Sequence, residues 1–349
     1  MKLALGTVQF GLDYGRGHVL LVSPRTFSYH TSISEALNSI GYTVTWWSDR
    51  ASSANWFKIA LRLLPKMMII FSERLFQKKI HQLDCSSITH VLVIKGEGLS
   101  ANILNIMRNS MPSASMGLYL WDGVENTKGV INIMSIFDSI ATFDPVDAKK
   151  FGWVYRPLFW RKNSAVKKEK HEENFDWCFI GTIHSDRHRI ISRLRQNHGQ
   201  RNRIFVFAYF QSPLILLIRL LSDWSLWFAP KESLSTKPMS AEEVAEKVWC
   251  SKSVLDVEHP RQRGFTMRTI ETLLAGKKLI TTNQHIFSCN LYHPSRVHVI
   301  SRWQPKIPVG FLGEPFLPIK NELKRYYSCE YWIEELLRLQ DQGRQKNSK

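Results

Sequence analysis

Arg268 and Glu271, three positions apart, are the residues of this chain whose types and spacing most clearly suit chemistry. They lie in VLDVEHPRQRGFTMRTIETLLAGKKLITTN, Val254 to Asn283, which reads as a strand (254–257), a polar Pro/Gly loop, a helix (about 266–275) and a second strand (278–282). Thr266 can cap the helix with its hydroxyl, and Gly276 can end it in a left-handed turn. In helical register Arg268 and Glu271 share a face. A guanidinium suits a phosphate and a carboxylate suits a pair of sugar hydroxyls, so together they describe a nucleotide held at a helix N-terminus. The same residues also describe an ordinary β-α-β unit whose helix carries a stabilising ion pair, and the motif alone does not separate the two readings.

The segment also resembles the donor-binding region of GT-B glycosyltransferases, in Glu271-Thr-Leu-Leu-Ala-Gly276-Lys-Lys-Leu-Ile. More narrowly, HP-x-Q-x-G-x-T-x-R-x-x-E followed by KKLITTN is similar to bacterial lipopolysaccharide and capsule biosynthesis proteins related to CgeB-like glycosyltransferases. The likeness extends to YLWDGVEN (119–126), TFDPVDA (142–148), RPLFW (156–160) and FIGTIHSDR (179–187), and so covers residues 18 to 325. The chain departs from the wider retaining pattern at Arg263, where such enzymes often carry a second glutamate eight positions before the ribose one. The resemblance implies an α/β chain of the GT-B class, two Rossmann-like domains facing a cleft. It also implies a metal-independent glycosyltransferase with a nucleotide-sugar as substrate, no cofactor, and a lipid-linked or growing polysaccharide acceptor.

On that reading Glu271 holds the ribose, and Arg268 with the backbone from Gly264 to Thr266 holds the pyrophosphate. Gln262 and Asn283 complete the motif. Gly181 and Thr182, at the end of an expected strand, allow the backbone to approach the same phosphates, although a tight turn explains Gly181 equally well. His259 contacts the donor or serves as a loop histidine. Glycosyl transfer also needs a base for the acceptor hydroxyl. Asp122 and Glu97, each after an apolar strand and beside glycine, are the candidates, with loop-tying and capping as the other reading. Asp144 and Asp147 read as a turn and a helix cap. A non-catalytic GT-B-like binding or assembly protein and a nucleotide-sugar epimerase remain the alternatives.

These residues need strand ends to hold them. Apolar runs at 18–23, 42–47, 89–94, 116–121, 139–143 and 153–155, with helices at 27–40, 100–109 and 146–150, predict an open, mostly parallel sheet. A second alternation starts at Trp177–Gly181, continues at 203–207, and includes the capping box Ser240-Ala-Glu-Glu243 and a last strand at 297–300. The domains expected are a leader (1–15), an acceptor domain (16–160), a charged linker (161–173), a donor domain (174–320) and a C-terminal helix and tail (321–349). The leader alone resembles the opening strand of aldo/keto reductases; nothing later supports their barrel, so it reads as a rearranged leader or a plain strand.

Composition sets the outer bounds. Five scattered cysteines form no C-x-x-C pair, so neither a disulfide framework nor a zinc site is expected and the compartment reads as cytoplasmic. His184 and His188 fall in an arginine-rich segment read as a helix, which disfavours a metal. The net charge of +17 concentrates at 57–80, with six Lys or Arg against one Glu, and at 185–203, with six Arg against one Asp. No nucleic-acid fold signature accompanies these tracts, so nucleic acid is not expected. Their mixture with aliphatic residues suits an anionic membrane surface on the inner face of the plasma membrane, or a solvated helix face with a buried apolar side. Pro213–Pro230 is too interrupted to span a bilayer. It reads as an interfacial element with Trp224, Trp227 and Phe228 at headgroup level, or as a buried helix and loop at a domain edge.

Overall fold

The computed structural model describes residues 7–10, 15–25, 29–50, 65–161, 172–198 and 203–347. Most of the leader, the front of the basic run (57–64) and most of the charged linker (162–171) lie outside the described residues. The chain divides into two compact units, Met1–Leu158 with Ser328–Lys349, and Phe159–Tyr327.

In the first unit β2 (His18–Ser23), β3 (Thr43–Ser48), β4 (Ile88–Ile94), β5 (Ser115–Leu120), β6 (Ser139–Thr142) and β7 (Val154–Tyr155) run parallel in the order β3-β2-β4-β5-β6-β7. The edge strand β1 (Thr7–Phe10) joins β3 antiparallel, so this part of the leader is a plain strand. Near-continuous apolar runs mark parallel strands covered on both faces, and Val19 to Val22 are fully buried. Helix α1 (Tyr29–Ser39) is followed by Gly41 at φ 94°, where a left-handed residue stops it.

Helix α2 (Pro65–Gln82) uses the later part of the 57–80 run. Phe76 and Ile80 are buried in the first unit's core, and the Lys79 ammonium lies 5.4 Å from the Trp47 ring centre. The side that carries Phe76 and Ile80 therefore packs inward, as in the reading of a helix with a buried apolar side, while Ile70 is exposed. Helix α3 (Ala101–Ser110) is capped by Ser100, whose hydroxyl accepts from the Ile103 N–H and donates to Glu73 at 2.6 Å. Helix α4 (Pro145–Phe151) is capped by Asp144, while Asp147 accepts from the Val124 N–H, the turn-and-cap roles expected of both.

The second unit holds β8 (Phe175–Thr182), β9 (Ile204–Tyr209), β10 (Leu234–Ser235), β11 (Ser251–Asp256), β12 (Lys278–Thr281) and β13 (Val297–Val299), all parallel in the order β10-β9-β8-β11-β12-β13. Its helices are α5 (Arg187–His198), α6 (Pro213–Ser222), α7 (Ala241–Trp249), α8 (Met267–Leu274), α9 (Val309–Gly313) and α10 (Asn321–Tyr326). The capping box at Ser240 and Glu243 forms in both directions. Helix α6 contradicts the buried-helix reading of 213–230, since none of its residues is fully buried.

The C-terminal helix expected within 321–349 is two helices, α10 and α11 (Cys329–Asn347). The break has a local cause: the Ser328 hydroxyl accepts from the Tyr331 N–H, starting a new helix with its own cap. Helix α11 packs in the first unit, where Trp332 is fully buried with its ring centre 4.8 Å from that of Tyr119. Gly343 faces the Asp138 carbonyl so closely that a Cβ there would sit 2.0 Å from the oxygen.

Candidate functional site

The second unit places most of the donor candidates along one edge of its sheet. From β8 the strand order runs outward through β9 on one side and β11 on the other, so the order reverses between β8 and β11. Open α/β sheets bind ligands at the carboxyl ends of strands beside such a reversal. Gly181 and Thr182 end β8; His259, Gln262, Gly264 and Thr266 follow β11; Arg268 opens α8; and Asn283 follows β12.

Thr266 is the N-cap of α8, accepting from the Thr269 N–H at 3.1 Å and donating to the Asp256 carboxylate at 2.5 Å. Gly276 after the helix adopts φ 77°, as expected of its stop. The loop between β11 and α8 is held by the other motif residues. The Gln262 amide donates to the Gly264 carbonyl at 3.2 Å, and Asn283 donates to the Arg263 and Gly264 carbonyls at 3.3 and 3.4 Å. Gln262 and Asn283 thereby shape the backbone that precedes the helix N-terminus.

Glu271 does not pair with Arg268 among the described residues. Its carboxylate accepts from Arg161, at 3.3 Å from Nε and 3.2 Å from a terminal nitrogen, with both side chains largely buried. The ion pair within α8 that the alternative reading required is not formed; Glu271 pairs with the segment that enters the unit, which leaves the half-buried Arg268 without a carboxylate partner among the described residues. A cation in the first turn of a helix opposes the macrodipole unless an anion joins it.

Behind this edge lies a network that the sequence motifs do not name. Arg187 donates to the Val257 carbonyl at 2.5 Å and to the Thr182 carbonyl at 2.8 Å, clasping the ends of β8 and β11. Arg302 donates to both oxygens of Asp186, at 2.8 and 3.1 Å, and to the carbonyl and carboxylate of Glu258. Glu258 in turn accepts from the Thr282 hydroxyl at 2.6 Å, and burial pushes its carboxyl above the ordinary range. Asp186 and Arg187 lie inside FIGTIHSDR and Glu258 and Thr282 inside the Val254–Asn283 segment, but no motif spacing includes Arg302. His184 precedes α5, so it shares no helix face with His188, whose ring meets the Ser225 hydroxyl at 2.8 Å.

The His184 ring lies 5.6 Å from that of His259, one from each side of the strand-order reversal. Burial, with Arg187, His259 and Arg219 nearby, lowers the His184 pKa to about 4. The folded state therefore keeps this imidazole neutral, and its contribution to stability is complete above the unfolded value near 6.5. As pH falls from about 6.5 to about 4 the unfolded chain takes up a proton that the folded one refuses, and stability declines across that window. Denaturant unfolding over this range is expected to show a smaller decline in His184→Asn than in the wild type. Equal declines would remove His184 as its source.

The first unit gathers its acids at the ends of β3, β4 and β5. Lys95 sits 2.6 Å from Asp122 and 3.4 Å from Glu97, and Arg50 lies 2.9 Å from Glu97. Burial pulls the Lys95 pKa down, and its two carboxylates more than offset this, so it stays charged. Lys95 and Gly96 occupy consecutive left-handed conformations, at φ 72° and 71°, which turn the loop back on the strand. Gly98 then packs on Asp49 so closely that a Cβ would lie 2.0 Å from its carbonyl oxygen. Asp49, absent from the sequence candidates, is 1% exposed, and burial raises its carboxyl to about 6.

No protein-family model matches this chain, and no curated protein matches it in sequence. Solved structures do match over nearly the whole length. OtsA in its apo form is 10% identical with a TM-score of 0.54, covering 91% of this chain and 98% of that one. Sucrose-phosphate synthase from Thermosynechococcus elongatus is 11% identical with a TM-score of 0.52, covering 95% and 94%. Anabaena HepE in complex with UDP-glucose is 8% identical with a TM-score of 0.53, covering 95% and 99%. At these identities the likeness is one of fold: two Rossmann-like α/β units in one chain, the GT-B fold.

Proposed function

We propose that this protein is a glycosyltransferase that takes a sugar from a nucleotide-sugar donor bound by its second unit. The observation that carries the reading is the convergence of Gly181, Thr182, His259, Thr266 and Arg268 on the carboxyl edge of β8 and β11, where the strand order reverses. The occurrence of UDP-glucose in the HepE structure of the same fold supports a donor of that chemical class. Arg268, half-buried and without a carboxylate partner among the described residues, is suited to a diphosphate at the α8 N-terminus. Glu271 is the ribose acceptor, oriented by Arg161. Gln262 and Asn283 position the loop that presents its backbone N–H groups.

In the proposed reaction the bond between the sugar anomeric carbon and the diphosphate oxygen breaks, and the diphosphate leaves with the electron pair. Arg268 and the helix N-terminus offset that growing charge. The anomeric carbon bonds to an acceptor hydroxyl oxygen, whose proton passes to a carboxylate. Asp122 and Glu97 are the candidates in the first unit, and Lys95, which holds both, positions them. The buried Asp49, whose carboxyl burial raises to about 6, lies beside this group. The acceptor is a lipid-linked or growing surface polysaccharide, on the resemblance to lipopolysaccharide and capsule biosynthesis proteins.

Isothermal titration of the full chain with UDP-, GDP-, dTDP- and CMP-sugars tests the reading. Binding of one class, with sugar transfer to an added acceptor, is the expected result. Binding of none by folded protein overturns the donor site and leaves a non-catalytic member of the fold. Interconversion of the donor without any acceptor identifies an epimerase.

A further inference from the structure

We propose that α6 and the aromatic turn that follows it seat the second unit on the headgroup–acyl boundary of an anionic lipid bilayer. The helix is apolar on two sides. Ile215, Leu216 and Leu220 pack on the core of the unit, and Leu226 of the following turn is anchored there. The opposite side carries Leu214, Leu217, Ile218 and Leu221 at 54–77% exposure, continued by Trp224, Trp227 and Phe228 at 70–78%. A helix facing water places polar residues outward, and one that is apolar all round expects cover.

Several polar groups of the element already have partners within the protein. The Trp227 indole donates to the Leu220 carbonyl at 2.7 Å, and the Asp223 N–H and Ser222 hydroxyl both donate to the Arg219 carbonyl. Asp223, the sole carboxylate between residues 213 and 231, is buried and accepts from the Ser225 hydroxyl at 2.7 Å and from Arg189. Covering the outer side with an apolar medium therefore strips few hydrogen bonds. Exposed Trp and Phe beside leucines are the side chains that settle at a membrane interface.

Charge selects the occupant. The charged groups around the patch are Arg189, Arg219 and Lys231 against Glu232 and the buried Asp223, which pairs with Arg189, so cations are in excess by one (three against two), and Lys231 is exposed at the rim. A second copy meeting this patch about a two-fold axis would bring its cations toward those of the first. Anionic lipid phosphates complement them. At ten residues the helix is too short to span, and no helix among the described residues is long and apolar enough to cross a membrane. The surface is independent of the donor reading, because it requires no nucleotide in the second unit.

Flotation of the full chain with phosphatidylcholine vesicles, with and without phosphatidylglycerol, tests the proposal. The wild type is expected to float with phosphatidylglycerol vesicles and less with phosphatidylcholine alone. Leu221→Glu combined with Phe228→Glu, both at exposed positions, is expected to lower that partitioning at least roughly tenfold. Lys231→Glu, at an exposed rim position, is expected to weaken the preference for phosphatidylglycerol and keeps the test decisive if the double variant folds poorly. Wild-type flotation by either variant, or no flotation of the wild type with any vesicle, overturns the proposal. So does a wild-type dimer in sedimentation that the double variant dissolves, which would make a second copy the occupant.

Discussion

Glu271→Gln is expected to lower affinity for the nucleotide-sugar donor by about one to two powers of ten. The substitution keeps the shape of the side chain and removes its charge, and a hydrogen bond to a charged group contributes about 1.5–3 kcal/mol. The structure adds a competing role, since Glu271 holds Arg161 in a largely buried pair. Arg161→Ala separates the two roles. If Glu271 serves only that pair, both variants lose similar stability and donor titration is unchanged in each. If Glu271 meets the ribose, Glu271→Gln loses donor affinity well beyond any loss in Arg161→Ala. Arg268→Ala is expected to slow turnover at least as much as it weakens binding, because charge on the leaving diphosphate grows toward the transition state. Unchanged donor affinity in Glu271→Gln would end the ribose assignment.

Trp332→Ala is expected to destabilise the first unit by about 3–5 kcal/mol. The side chain is fully buried, its ring meets Tyr119 of β5 edge-on, and the helix that carries it packs on α1 and β5. Removing it opens a large cavity under α11, which cannot close by sliding because Gly343 already lies against the Asp138 carbonyl. Trp332→Phe keeps most of the apolar volume and is expected to lose clearly less. Denaturant unfolding of both variants measures the difference. A loss below about 1 kcal/mol for Trp332→Ala would show that α11 is not integral to this core.

The elements were legible in the residues because their signals are local. The strand read at 18–23, around the apolar run 19–22, is β2 to the residue, and Thr266, Ser240, Ser100 and Asp144 each cap the helix that follows them. Gly276 takes the positive φ its helix end requires. Such features depend on a few neighbouring backbone groups, and so did the alternation that pointed to parallel sheets. The tail was misread as a single helix because apolar spacing continues across Ser328, while one hydroxyl cap restarts the backbone there.

Partner choice and burial were decided by tertiary structure alone. Arg268 and Glu271 share a helix face, yet Glu271 pairs with Arg161, 110 positions away, because the fold brings that cation within hydrogen-bond distance. Arg187 and Arg302 bond to strand ends and acids that no spacing rule brings together, and Asp49 acquires its raised pKa only once the loop at Gly98 closes over it. The apolar residues of the 57–80 run and those of 213–230 differ in cover, with Phe76 and Ile80 of α2 in the core and α6 left with one apolar side exposed. Hydrophobic residues carry the demand for burial in the sequence itself; which of them the chain covers, and which are left for something else to cover, depends on the packing of distant segments.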